Sequence, residues 1–78
     1  QISPVFPPEA KRMSLSGRVV VEFIVTTEGR VIDAKVLRSS DSIFNNYALD
    51  AVRKWVFTPG EKGGKKVNTR VQIPIPFR

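Results

Sequence analysis

The sequence predicts an α+β fold: a three-stranded antiparallel sheet with two helices packed on one face, in the order helix, strand, strand, helix, strand. Three observations carry that expectation. Residues 18–26 and 67–77 alternate with the two-residue period of strands. Residues 44–55 place apolar side chains at three- and four-residue steps, the period of a helix with one buried face. Two apolar helical stripes then need cover, and one face of a small sheet is the simplest place for both.

The elements follow in order along a single domain spanning residues 1–78. Residues 1–6 read as an extended lead-in, because residues before prolines are pushed out of helical geometry. Pro7 or Pro8 suits the first turn of a helix, where a missing N–H costs nothing. Ala10, Met13 and Leu15 give that short helix its apolar stripe, and Gly17 is placed to end it. In the first strand Val19, Val21, Phe23 and Val25 share one face, while Arg18, Val20, Glu22, Ile24 and Thr26 share the other. Because the second face also carries Val20 and Ile24, this strand belongs at the sheet centre. Gly29 supplies the positive φ of a hairpin turn. The return strand is expected to point Ile32, Ala34 and Val36 inward, with Asp33, Lys35 and Leu37 opposite. Asp41 or Ser42 is the expected N-cap of the second helix, whose buried face holds Phe44, Tyr47, Ala48, Ala51, Val52 and Trp55. "TPGEKGGK" reads as a loop, and the last strand as a continuous run from Val67 to Phe77.

Composition narrows the function. A domain of this length buries only about 60% of its unfolded surface, which leaves little room for an enclosed cavity. The chain holds no histidine and no cysteine, and Asp33, Asp41, Asp50 and Glu61 include no pair spaced for acid–base work. We therefore expect no catalytic residue, no metal site and no cofactor. "GEKGGKK" lacks the spacing of a phosphate-binding loop, and no helix follows it. Thirteen Lys and Arg against seven Asp and Glu give a net charge of +6. Those charges are scattered and lack interleaved aromatic residues, so a solvated basic surface is expected and nucleic acid is not the expected partner. No apolar run approaches the roughly 20 residues of a membrane span. The chain begins at Gln1, so any anchor is expected upstream of it.

The last strand is the informative one. In "RVQIPIPFR" Pro74 and Pro76 share parity, so both lack donors on the same side of the strand. Proline in a sheet is confined to edges and bulges, which makes this an edge strand with its even-numbered residues facing outward. The prolines blunt one end of that edge, whereas Asn68, Arg70 and Gln72 keep outward N–H and C=O groups. An open edge of that length is a docking site for an extended peptide, or for the same strand of a second copy in a strand-paired homodimer. Arg70 is the expected polar contact, and the lysines of "GEKGGKK" can steer an acidic peptide toward the edge.

Several pieces of the chain together resemble a known family. They are Pro4-Val5-Phe6-Pro7, "GRVVVEFIVTTEGRV", "SS", "ALDAVRKWVFTPG" and the closing "IPIPF". At this spacing they resemble the C-terminal domain of TonB-family energy transducers, from about Pro4 to Phe77, with an architecture related to the TolA C-terminal domain. The resemblance implies a periplasmic domain, tethered to the inner membrane by an upstream helix and a proline-rich linker. It implies binding of the TonB box, a short extended peptide of outer-membrane transporters, by strand addition. It also implies an ExbB/ExbD-type motor complex upstream, and energy transfer for uptake of iron-siderophores, vitamin B12 or similar nutrients. Carried onto this sequence, the box adds beside Val67, Asn68, Thr69, Arg70, Val71, Gln72 and Ile73. The segment Ile2 to Phe6, with Ser3, Pro4, Val5 and Phe6, lies against it. The alternative is a TolA-like or divergent TonB-like domain with a different periplasmic partner.

Overall fold

In a computed structural model the chain is described over residues 3–78. A short helix α1 (Pro8–Arg12) leads into strands β1 (Gly17–Val25) and β2 (Val31–Ser39). A 3₁₀ turn (Ser42–Phe44) opens helix α2 (Asn45–Arg53). A small hairpin, β3 (Gly60–Lys62) and β4 (Lys65–Val67), precedes the last strand β5 (Thr69–Phe77). The main sheet has the order β2-β1-β5, antiparallel throughout, so β1 is central as its two apolar faces imply.

The core lies between one face of this sheet and both helices. Val19, Val21 and Phe23 are fully buried with Ala10 of α1, Phe44 of the 3₁₀ turn and Ala48 and Val52 of α2. Ile75 and Phe77 close the core from β5. Phe44 stacks on Phe77 at 4.8 Å between ring centroids, and Phe6 meets both edge-on, which fastens the lead-in segment to the end of β5. A second aromatic group, Phe23, Phe57 and Trp55, fastens the exit of α2 to the middle of β1.

Local chemistry sets the boundaries, and in several places it overrules the sequence expectation. Helix α1 does not run on to Gly17. Ser14 takes a φ of 52°, its N–H bonds the Lys11 carbonyl, and the Leu15 N–H reaches back to Ala10 at 2.8 Å. That pair of bonds closes a helix end in the Schellman manner. Met13 is consequently left 61% exposed outside the stripe expected for it. Gly17 instead starts β1, where a Cβ would sit 2.4 Å from the Phe44 ring. Asp41 caps the second helix, its side chain accepting the Ile43 N–H at 3.0 Å, but the first turn is 3₁₀ and Trp55 lies past the helix end.

Strand β2 carries two bulges. Val20 faces Arg38 and Val21 faces Val36, leaving Leu37 extra; Glu22 faces Lys35 and Ile24 faces Ile32, leaving one more residue at Asp33–Ala34. Asp33 has a φ of 54°. A bulge shifts the side-chain parity of everything beyond it. Val31 therefore packs on the core and Ile32, expected inward, is exposed on the opposite face. The "GEKGGK" segment, expected as a plain loop, folds into β3–β4 because Gly63 and Gly64 both adopt positive φ, as a two-residue hairpin turn requires.

Candidate functional site at the open edge of the sheet

Strand β5 pairs with β1 in an unbroken register from Gly17–Phe77 to Val25–Thr69. The side of β1 that faces it follows from two bonds to the other neighbour. The Ser40 N–H donates to the Arg18 carbonyl at 3.0 Å, and the Thr26 N–H donates to the Arg30 carbonyl at 2.8 Å. The even-numbered backbone groups of β1 thus point to the β2 side, and the odd-numbered ones point to β5. Across β5 the odd residues, from Thr69 to Phe77, complete that ladder, because each is opposite an odd residue of β1. Arg70, Gln72, Pro74 and Pro76 therefore direct their backbone away from the sheet. Among the described residues no strand lies beyond β5.

The outward edge offers two donors, the N–H groups of Arg70 and Gln72, and the carbonyls of the four even residues. It is shorter than the sequence indicates. Val67 belongs to β4, opposite Gly60, and Asn68 lies between the two strands. The Asn68 side-chain oxygen accepts the Thr27 N–H at 3.1 Å, which fixes this junction to the β1–β2 turn. The candidate residues Thr69, Arg70, Val71, Gln72 and Ile73 thus share one edge, whereas Val67 and Asn68 stand at its approach.

The lead-in segment borders the other end. Ser3, Pro4 and Phe6 line a groove of about 440 Å³ whose opposite wall is Trp55 with Pro74 and Pro76. Val5 is 68% exposed on the far side of the segment, beside a smaller depression of about 160 Å³ that includes Tyr47, Asp50 and Lys54 of α2. Ile2 lies outside the described residues. Trp55, read from its spacing as packing, both meets Phe57 edge-on at 6.1 Å and lines this groove. It stands two residues past Arg53, the end of α2, and so clear of the helix's own buried face.

Glu22 is the other residue that sequence reasoning missed. It stands on the open face of the central strand yet is only 8% exposed. Gln72 Nε2 donates to its Oε2 at 2.8 Å, while Lys35 Nζ and Arg70 Nη1 lie 3.4 and 3.5 Å from its Oε1. The Gln72 hydrogen bond holds its carboxyl below the ordinary glutamate value; burial works against this, and Lys35 and Arg70 reinforce it. The clue in the sequence is that Glu22 is the one acid on a strand face otherwise made of Arg18, Val20, Ile24 and Thr26.

Fold and site together define a small α+β domain whose single straight sheet border is open and flanked by an aromatic-walled groove. The family profile described as Gram-negative bacterial TonB protein C-terminal matches residues 2–78, and the chain belongs to that family. It is 35% identical over 75 residues to Protein TonB of Xanthomonas campestris, covering 95% of this chain and 34% of that protein. It is 42% identical over 65 residues to Protein TonB of Pseudomonas aeruginosa, covering 82% and 19% respectively. The chain thus spans about a third or less of the length of these curated relatives. The solution NMR structure of the Pseudomonas aeruginosa TonB CTD superposes with a TM-score of 0.83 at 35% identity, over 99% of this chain and 79% of that one. The Helicobacter pylori TonB-CTD gives 0.76 at 26% identity, over 97% and 80%.

Proposed function

We propose that this domain is the periplasmic, peptide-binding end of a TonB-type energy transducer. It takes the TonB box of an outer-membrane transporter as a fourth strand along Thr69–Ile73, with Ser3, Pro4, Val5 and Phe6 beside the guest. The observation that carries this reading is the unclaimed outward edge of β5, with the Arg70 and Gln72 N–H groups facing solvent. Family membership supports it, as does the groove at the proline end.

The energetics suit a reversible grip. About four backbone hydrogen bonds form, each worth roughly 0.5–1.5 kcal/mol net. Ordering and association entropy offset much of that. A pull along the strand axis is nonetheless shared among those bonds, so modest affinity transmits force. Lys62, Lys65 and Lys66, exposed on the β3–β4 hairpin, draw an acidic guest toward the Asn68 end of the edge. Upstream, an inner-membrane tether and an ExbB/ExbD-type motor supply the pull that drives uptake of iron-siderophores, vitamin B12 or similar nutrients. The same edge accepts β5 of a second copy at high concentration, in competition with the box.

Titration of the ¹⁵N-labelled domain with a TonB-box peptide tests the proposal. The Arg70 and Gln72 amides shift progressively, with smaller changes at Phe6 and Trp55. Amide signals along β5 that stay fixed at millimolar peptide refute it.

A further inference from the structure

We propose that Glu22 is a positioning residue for the docking edge: one carboxylate on the central strand holds the side chains of both β5 residues whose N–H groups face outward. The inference rests on the peptide-docking reading above and adds a residue that no guest touches.

An edge strand is held by backbone bonds on one side only, so its free part frays more readily than a central strand. In β5 the stretch a guest needs is held a second time, through side chains. Gln72 stands directly opposite Glu22 and reaches Oε2 at 2.8 Å. Arg70 stands opposite Ile24, one pleat further along the same face, and reaches Oε1 at 3.5 Å. Lys35, opposite Glu22 on β2, approaches the same oxygen at 3.4 Å and ties the carboxylate to the third strand. Both outward donors are thus fixed through one acid. Gln72 and Arg70 alternate with Val71 and Ile73, whose side chains pack on the core, so alternate residues of the docking stretch are gripped from opposite faces of the sheet. Among the described residues no comparable clamp reaches Pro74 or Pro76, where there is no donor to hold.

A guest adding to this edge needs two N–H groups about 7 Å apart and in phase. With Glu22 present they are held before the guest arrives; without it the guest must order that stretch on binding, and affinity falls.

The test compares Glu22→Gln, which keeps an acceptor for Gln72 but loses the charge, with Glu22→Ala, which loses both. Val52→Ala serves as control, since it weakens the shared core from α2, a helix that packs chiefly on β2 and β1. At a temperature where all variants remain folded by circular dichroism, TonB-box peptide affinity falls about fivefold to thirtyfold in Glu22→Ala and less in Glu22→Gln. Val52→Ala leaves it unchanged. Hydrogen exchange in the free domain accelerates at Val71 and Ile73 in the Glu22 variants, with Ile75 and Phe77 unaffected. Wild-type affinity in both Glu22 variants overturns the proposal, and so does an equal loss in Val52→Ala. Should the wild-type domain bind no peptide, the docking reading fails on its own. Exchange then decides the clamp, and unchanged protection at Val71 and Ile73 overturns it.

Discussion

Placing a proline at residue 70 or at residue 71 should give opposite outcomes, and the contrast tests the parity of β5 directly. The Val71 N–H lies in the ladder opposite the fully buried Phe23, whereas the Arg70 N–H faces solvent. Val71→Pro removes a ladder bond worth about 0.5–1.5 kcal/mol and leaves a buried carbonyl without a donor, a further 1–3 kcal/mol or so. A chain of this length is stable by about 4–12 kcal/mol in total. At about 4–8 °C per kcal/mol, Val71→Pro lowers the melting temperature by roughly 6–36 °C. Arg70→Pro leaves every β1–β5 backbone bond in place, and Thr69 before it already has the extended geometry that a following proline requires. Its thermal cost is limited to the Arg70–Glu22 ion pair, exposed on its arginine side, about 0–1 kcal/mol. Binding suffers instead: the guest loses one donor, its own carbonyl is left unpaired, and the proline ring occupies that space. Together these weaken peptide affinity by about thirtyfold or more. Thermal unfolding followed by circular dichroism and calorimetric peptide titration separate the two effects. An Arg70→Pro domain that melts early, or one that binds peptide like the wild type, refutes the assigned parity.

Three further outcomes follow from other parts of the structure. Gly29→Ala places a Cβ 2.1 Å from the Phe57 carbonyl at a backbone φ of 81°, and the displaced chain weakens the 2.9 Å bond from the Phe57 N–H to the Gly29 carbonyl. A loss of about 2–4 kcal/mol is expected in denaturant unfolding. Acid acts on Glu22: its folded pKa lies below its unfolded one, so the unfolded state binds more protons across that interval. The contribution of the clamp is complete above about pH 4.5 and is lost as pH falls through the lower folded value, so protection factors at Val71 and Ile73 drop there in the wild type and not in Glu22→Gln. Replacing Lys62, Lys65 and Lys66 together with glutamine slows association with an acidic peptide several-fold at low ionic strength, flattens its salt dependence and leaves dissociation unchanged in stopped-flow measurements.

The sequence made the element order, the central place of β1 and the edge character of β5 legible, because each rested on a strong periodic or steric signal. Alternation fixed the face of every residue in β1 and β5, and two prolines of equal parity marked the outward side. Strand β2 was harder. Val31 and Ile32 are both apolar, so either register satisfies the pattern, and only the left-handed Asp33 shows which one the chain takes. The β3–β4 hairpin carries no apolar alternation at all; it forms from the Gly63-Gly64 turn and pairing alone. Gly17 fits a helix end as well as a strand start, and the choice depends on a distant ring, Phe44, that no local pattern reveals. The site divides the same way. The open edge followed from parity, whereas the Trp55 groove wall and the partners of Glu22 depend on which residues the fold brings together.

The proposed docking also distinguishes between the two borders of the sheet, on backbone geometry. An antiparallel sheet has two borders, and both β2 and β5 run for nine residues. Along β2 the bulges at Asp33 and Leu37 interrupt the spacing of outward groups twice, so a straight peptide finds no more than about three consecutive residues in phase before its donors and acceptors fall out of step. Along β5 the register is unbroken, and the only interruption is the missing donors at Pro74 and Pro76. Those prolines would be a defect if pairing along the whole strand were required. Under the proposed docking, with a groove beside them, they would end the hydrogen-bonded grip after Ile73 and leave the guest to apolar contact with Phe6 and Trp55. The two kinds of disruption thus differ: bulges break the spacing of outward groups along one border, and prolines shorten the run of donors along the other.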